Sequence, residues 1–300
     1  TIKAIAQPSK QAFTYVFNRA TGEPVWPIEE RPVPSGNVPG EWYAPTQPFP
    51  TKPPPFDLQG IEIDDLVDFT PELREEAIRI ASRAQLVPMF YPPDVRGEAK
   101  PIIQSPGPGG GINWPGAAAD PETGLLFVPS QTRLRAVELV KYEAPATVGY
   151  FTDPWAVPVP GPQGLPLVKP PYKRVTAIDL NTGEHAWMSP HGDGPRNHPA
   201  LRHLNLPALG GHSGMHGGGA LVTKTLLIVN SGGRYMADEA EGARTMSAYH
   251  KANGEYLGSV MLPSVPNGNP MTYLHEGRQY VVVAVGGGGG SAAPELIALA

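Results

Sequence analysis

The sequence predicts an all-β protein built from a repeated antiparallel sheet, the β-propeller architecture, on three observations. A hairpin phrase recurs along the chain, strand-length runs follow one another at short spacing, and glycine and proline are abundant where helical periodicity is scarce. Proline is 38 and glycine 35 of 300 residues, well above the usual ~5% and ~7%.

The phrase is Asn18-Arg-Ala-Thr-Gly-Glu23 leading to Trp26, then Asp179-Leu-Asn-Thr-Gly-Glu184 leading to Trp187 at the same spacing. His250-Lys-Ala-Asn-Gly-Glu255 is a third copy, with Gly258 where the tryptophan would fall. Strand-like runs precede each copy: Phe13 to Phe17, Arg174 to Ile178 and Thr245 to Tyr249. Thr-Gly or Asn-Gly supplies the positive φ of a tight turn, so each copy reads as a β-hairpin, and a repeated hairpin means a repeated sheet. Asp120-Pro-Glu-Thr-Gly124, leading into Leu125 to Val128, is a variant turn expected between different strands of such a sheet.

Toward the C-terminus, Ala220 to Thr223, Leu226 to Asn230, Met246 to Tyr249 and Tyr256 to Met261 read as one four-stranded blade. Met271 to Leu274, Tyr280 to Val285 and Leu296 to Ala300 follow as three strands; Ile2 to Ala6, Phe13 to Phe17 and Pro24 to Ile28 make three at the other end. Propellers close their rings to remove edges, so two three-stranded ends imply that sequence is missing. The chain also begins at Thr1 without Met or a signal peptide, and reads as a fragment or processed piece.

The expected domain is the C-terminal part of a single propeller over residues 1–300, with insertions at about 31–100 and 144–171. Arg31 to Phe56 is proline-dense without periodicity and reads as an ordered excursion or linker. Pro71 to Ala81 is the one confident helix, with Thr70 as N-cap and Pro71 at the first helical position. Ala144 to Pro171 is a second proline-rich excursion over one face of the ring, where propellers place binding elements.

With 40% apolar residues the chain buries a core rather than remaining disordered. A net charge of −5 without a basic run argues against a nucleic-acid partner. The apolar run Tyr280 to Val285 is far short of the ~20 residues that cross a bilayer as a helix. Zero cysteines excludes disulfides, Fe–S clusters and thiolate zinc sites.

The repeat with its docking tryptophan resembles the blades of pyrroloquinoline-quinone (PQQ) dependent alcohol and sugar dehydrogenases. Three stretches sharpen the likeness. Arg31-Pro-Val-Pro with Pro45-Thr-Gln-Pro-Phe-Pro50 resembles a segment of the membrane glucose dehydrogenase branch. Pro106-Gly-Pro-Gly-Gly-Gly-Ile-Asn-Trp114 is similar to the family's Gly-Gly-x-Asn-Trp motif, and Pro270-Met-Thr-Tyr273 with Gly277-Arg-Gln-Tyr-Val281 to its last blade. The resemblance spans essentially the whole chain as the second half of the family's length. It implies an eight-bladed propeller holding PQQ and Ca²⁺ on its axis, and periplasmic oxidation of a sugar or alcohol with electrons passed to a quinone or c-type cytochrome. The catalytic base and the metal ligands would then lie upstream of residue 1.

Four residues carry over as cofactor contacts. Lys10 falls where this branch places a lysine, a cation that stabilises negative charge developing on the quinone oxygens; the residues alone leave open a surface lysine before a strand. Asn113 offers an amide donor and Trp114 an apolar wall, with Gly109-Gly110-Gly111 permitting close approach; the alternative is a turn asparagine and a core tryptophan. His216 stands where the alcohol dehydrogenases have tryptophan, a departure that leaves its contact open. His212 and His216 have a metal-like spacing, but their flanking glycines disfavour the helix needed to converge them. His198 and His203 read as loop residues, and Gly286 to Gly290 as a close-packed turn rather than a phosphate cradle.

The competing reading is a non-catalytic propeller scaffold of the outer-membrane assembly type, which would have no need of Lys10 and Asn113-Trp114 on its axis. A propeller hydrolase lacks a Gly-x-Ser-x-Gly elbow. With the ring unclosed, the fragment alone is expected to be inactive and to associate through open sheet edges.

Overall fold

A computed structural model describes residues 1–142, 147–152, 157–211, 218–231, 244–287 and 293–300. The chain opens with a hairpin of β1 (Ala4–Pro8) and β2 (Thr14–Asn18), followed by a second of β3 (Ile28–Pro32) and β4 (Thr46–Pro50). Helix α1 (Pro71–Ala81), β5 (Gln85–Leu86) and β6 (Ile102–Gln104) come before β7 (Ala118–Asp120) and β8 (Leu125–Gln131). β9 (Arg135–Val137), β10 (Leu139–Lys141) and β11 (Tyr150–Thr152) then precede β12 (Lys173–Asp179) and β13 (Glu184–Pro190).

The recurrent unit is the four-stranded antiparallel sheet. One has the order β7-β8-β12-β13, and the next is β14 (Ala220–Val222), β15 (Leu226–Asn230), β16 (Thr245–His250) and β17 (Tyr256–Met261) in sequence order. A three-stranded sheet of β18 (Met271–His275), β19 (Arg278–Val285) and β20 (Glu295–Leu299) follows. Apolar side chains alternate between the faces of each strand, as the two-residue period requires. Thus Leu227 and Val229 of β15 join Phe127, Val175 and Ala177 of the preceding sheet, whereas Ile228 packs with Val283 and Val285 of the following one.

The expected repeat has a directional packing role. Trp26 lies against Gly183, in the β12–β13 turn. Trp187 lies against Gly254, in the β16–β17 turn, and its indole donates to Lys251 O at 3.1 Å. Each tryptophan thus grips the turn of the next copy of its own phrase. Asp120-to-Gly124 instead joins the first and second strands of its sheet. There Asp120 accepts from Lys251 Nζ at 2.6 Å and from Thr123, and these bonds hold its buried carboxyl below the usual range.

One expectation is corrected. Pro24 to Ile28 is not a third strand of the first sheet: only Pro24 bridges Phe17. Pro27 has no N–H to continue the ladder, and Trp26 leaves to dock. Arg31 to Phe56 is the ordered excursion of its two readings, since β3 and β4 pair from Ile28↔Pro50 to Pro32↔Thr46. Pro32, Pro48 and Pro50 all occupy alternate pairs of that register. The bonded partners are the intervening ones, so the missing N–H groups cost the ladder nothing.

Helix α1 and the two excursions form a lobe beside the sheets. Thr70 caps α1, its side chain accepting from Leu73 N at 3.3 Å. Ala77 and Ala81, one turn apart, pack with Leu66, Val67, Leu167 and Val168, which ties the second excursion to the first.

Candidate functional site

Lys10 lies in the tight β1–β2 connection. The connection is closed by Ser9 N donating to Phe13 O at 2.8 Å and Ala12 N to Ser9 O at 3.0 Å. Ala12 is fully buried with a φ of +69°. The glycine run rests directly on this connection: Gly111 N donates to Lys10 O at 3.1 Å. Gly110 has a φ of +77°, and a Cβ there would stand 2.6 to 2.7 Å from Lys10 Cα, Cβ and Cγ. Only glycine permits this approach. The structure therefore brings Lys10 and the Gly109-to-Trp114 turn together from opposite ends of the first insertion.

Within that turn, Asn113 Nδ2 donates to Gly109 O at 3.2 Å and Asn113 Oδ1 accepts from Trp114 N at 3.0 Å. One amide hydrogen of Asn113 is left over from these bonds. Trp114 is 94% exposed, so it is not a core tryptophan. Asn269 Nδ2 donates to Pro115 O at 3.0 Å, which anchors the turn to the approach of β18. Lys10 is exposed and forms no ion pair among the described residues. His216, with its neighbour His212, lies outside the described residues; the adjoining Gly219 N donates to Asn230 Oδ1 at 3.0 Å. His198 and His203 sit in or beside short 3-10 turns, and His198 Nδ1 accepts from Ala200 N at 3.2 Å.

Sequence reasoning missed a buried ionic support beneath the glycine run. Asp57 Oδ1 accepts from Arg174 at 2.9 Å, Thr132 Oγ1 at 2.6 Å and Leu58 N at 2.7 Å. The Arg174 guanidinium also contacts the Thr132 hydroxyl. Asp57 Oδ2 is buried with no hydrogen-bond partner among the described residues and abuts Gly111, where a Cβ would come within 2.7 Å of it. Phe56 N donates to Ala12 O at 3.1 Å, so Asp57 braces both halves of the contact. No local motif announces this group, because Asp57 comes from the first insertion while Thr132 and Arg174 meet at the β8–β12 pairing.

A second buried set lies at the same end of β12. Lys173 Nζ donates to Ser231 O at 2.9 Å; burial, and then neighbouring Arg133, push its ammonium down to about 8. Burial, and then Lys173, push the His191 imidazole down to about 4, while its Nδ1 is 2.8 Å from the Tyr249 hydroxyl. Among the described residues no group of three or more histidine, aspartate or glutamate side chains is gathered to hold a metal.

Residues 1–281 match the family described as the PQQ glucose/ethanol/alcohol dehydrogenase β-propeller domain. The chain belongs to that family. Among curated members, it is 30% identical to the glycerol dehydrogenase large subunit of Gluconobacter thailandicus, over 98% of this chain and 42% of that protein. It is 28% identical to the quinate/shikimate dehydrogenase (quinone) of Acinetobacter baylyi and 28% identical to the quinoprotein glucose dehydrogenase of Escherichia coli, in each case over 95% of this chain and 36% of the relative. The chain thus spans about two-fifths of the length of these relatives. A europium-containing methanol dehydrogenase has a similar fold, with a TM-score of 0.51 and 17% identity over 95% of this chain and 37% of that one. The sheets described above are accordingly those of a β-propeller of this family.

Proposed function

We propose that the chain is the C-terminal part of an eight-bladed propeller enzyme that oxidises a sugar or alcohol hydroxyl to the lactone or carbonyl, using PQQ. In this reading residues 1–300 belong to one propeller domain, with insertions at about 31–100 and 144–171. Electrons go to a quinone or c-type cytochrome, and the enzyme works in the periplasm. The catalytic base and the ligands of a Ca²⁺ ion belong to the part of the protein that precedes residue 1.

The observation that carries the reading is the seating of the Gly110-Gly111 run on Lys10. It sets a cation without an ion pair among the described residues, an amide with an unspent hydrogen and an exposed indole at one end of the sheets. A planar, polyanionic quinone cofactor asks for those groups: a charged donor, a neutral donor and an apolar face. When bound, PQQ supplies the two-electron acceptor for the substrate's hydride, and Ca²⁺ supplies Lewis acidity. The Lys10 ammonium would stabilise negative charge on the oxygens it faces. The remaining Asn113 N–H would add a neutral hydrogen bond, and Trp114 would exclude water from one side. His216 is assigned to the same site on family resemblance alone. Curated relatives named as dehydrogenases favour this reading over a scaffold.

The test is a titration of the full-length protein with PQQ and Ca²⁺, followed by cofactor absorbance and by reduction of an artificial acceptor with glucose and ethanol. Saturable binding and substrate-dependent reduction are expected. Lys10→Ala should weaken PQQ binding by tenfold or more, since a hydrogen bond from a charged donor contributes ~1.5–3 kcal/mol. A folded protein that does not bind PQQ overturns the proposal.

A further inference from the structure

A cavity of about 200 Å³ opens directly beside Lys10. One side is the Lys10-Gln11 connection, another is Pro106 to Pro108 on the way to the glycine run, and the third is Val87 to Tyr91 from the first insertion. At that size it falls below the ~300–1,000 Å³ of sites that bury drug-sized ligands, so it suits a small molecule rather than a fused tricyclic cofactor.

The third wall is held firmly. Ile61 N donates to Val87 O at 2.9 Å, and Gly60, with a φ of +75°, lies so close that a Cβ would stand 2.8 Å from Met89 N, Pro88 Cα and Val87 O. Phe90 takes a φ of +64°, and its ring meets Phe49 of β4 edge-on at 5.6 Å. Across the cavity, Ala12 follows Gln11 with a φ of +69°. Backbone in this region strains non-glycine residues by about 1–3 kcal/mol each, and such strain gathers at ligand clamps. Here it occurs on both sides of one cavity.

The lining is divided chemically. Met89, Phe90 and Ile102 give apolar surface, while the exposed side-chain amides of Gln11 and Gln104 have no hydrogen-bond partner among the described residues. Apolar surface under unspent amides matches a polyol, whose C–H groups pack on the former while its hydroxyls pair with the latter.

We propose that this cavity holds the non-reacting, hydroxyl-bearing carbons of a polyol or sugar substrate, with Gln11 and Gln104 as specificity-determining residues. The inference rests on the dehydrogenase reading above and deepens it: the reacting carbon would sit toward Lys10 and the rest of the chain toward Phe90.

Two arms test it on the full-length protein. In the first, PQQ- and Ca²⁺-loaded enzyme is assayed with sorbitol and with ethanol, which is too short to reach the amides. Gln11→Ala/Gln104→Ala should raise the ratio of the two KM values about tenfold or more, the loss of one to two hydrogen bonds. In the second, saturation-transfer NMR follows methyl glucoside on the protein without PQQ, where binding is expected and Met89→Trp, which fills the cavity, should abolish it. A KM ratio unchanged within twofold, or methyl glucoside binding that survives Met89→Trp, overturns the subsite. If wild-type protein neither binds PQQ nor reduces the acceptor, the dehydrogenase reading fails instead, and the NMR arm still decides whether the cavity takes a polyol.

Discussion

Replacing Gly110 by alanine probes the contact on which the site depends. Two costs are legible. Alanine at a φ of +77° carries about 1 kcal/mol of left-handed strain. Its Cβ would also stand 2.6 to 2.7 Å from Lys10 Cα, Cβ and Cγ. Because Lys10 Cα is backbone, no rotamer change relieves the overlap, and opening such a contact costs about 1–3 kcal/mol. The total is about 3 kcal/mol. Gly97→Ala is the matched control: its φ is +87° and nothing lies within 4 Å of the new Cβ, so it carries the first cost alone. Urea unfolding of the full-length protein should place Gly110→Ala about 2 kcal/mol below Gly97→Ala. The PQQ titration should weaken at least tenfold for Gly110→Ala alone, because the turn that carries Asn113 is pushed off Lys10. Equal urea midpoints for the two variants would refute the packing argument, and an unshifted PQQ titration would refute its link to the site.

Two further expectations concern the buried charges. Asp57→Asn leaves the Arg174 guanidinium buried without a counter-charge, its side chain 8% exposed, and should cost about 3–5 kcal/mol; Asp57→Asn/Arg174→Met should recover much of that in the same urea assay, whereas additive losses would mean the pair is not coupled. His191 is held at about 4 while the unfolded chain titrates near ~6.5. As pH falls below ~6.5 the unfolded chain takes up a proton that the folded one refuses until about 4, so stability is full above 6.5 and declines by roughly 3 kcal/mol across that window. His191→Gln should flatten this part of the stability-versus-pH curve, and an unchanged slope would assign the decline to other groups.

The elements legible in the sequence were those whose signals are local. The turn glycines, the alternation of β15 and the Thr70 cap each act within a few residues, and their sheets and helix fall where they predict. The β3–β4 hairpin escaped because proline reads as a breaker until its parity in the ladder is known, and that parity is set by the partner strand. In the candidate site, Lys10, Asn113 and Trp114 were singled out by the resemblance to the family's motifs, with the glycine run beside them, and not by residue type alone. The brace of Asp57, Thr132 and Arg174 did not show, because a buried ion pair between distant segments leaves no spacing to read. The exposure of Trp114 was equally hidden, since tryptophan beside a glycine run is compatible with either core or surface.

The segment from Thr132 to Tyr172, which contains the second excursion, departs from β8 and rejoins the sheet at β12, where Thr132 N donates to Tyr172 O at 2.8 Å and Gln131 pairs with Lys173. Its two ends are therefore neighbours in one continuous ladder, already closed by the blade itself. Closing a longer detour between fixed points adds only ~0.6 kcal/mol for each doubling of its length. This segment can accordingly be lengthened, shortened or exchanged while the β8–β12 ladder beneath stays in register, so what it contacts can change without a new frame.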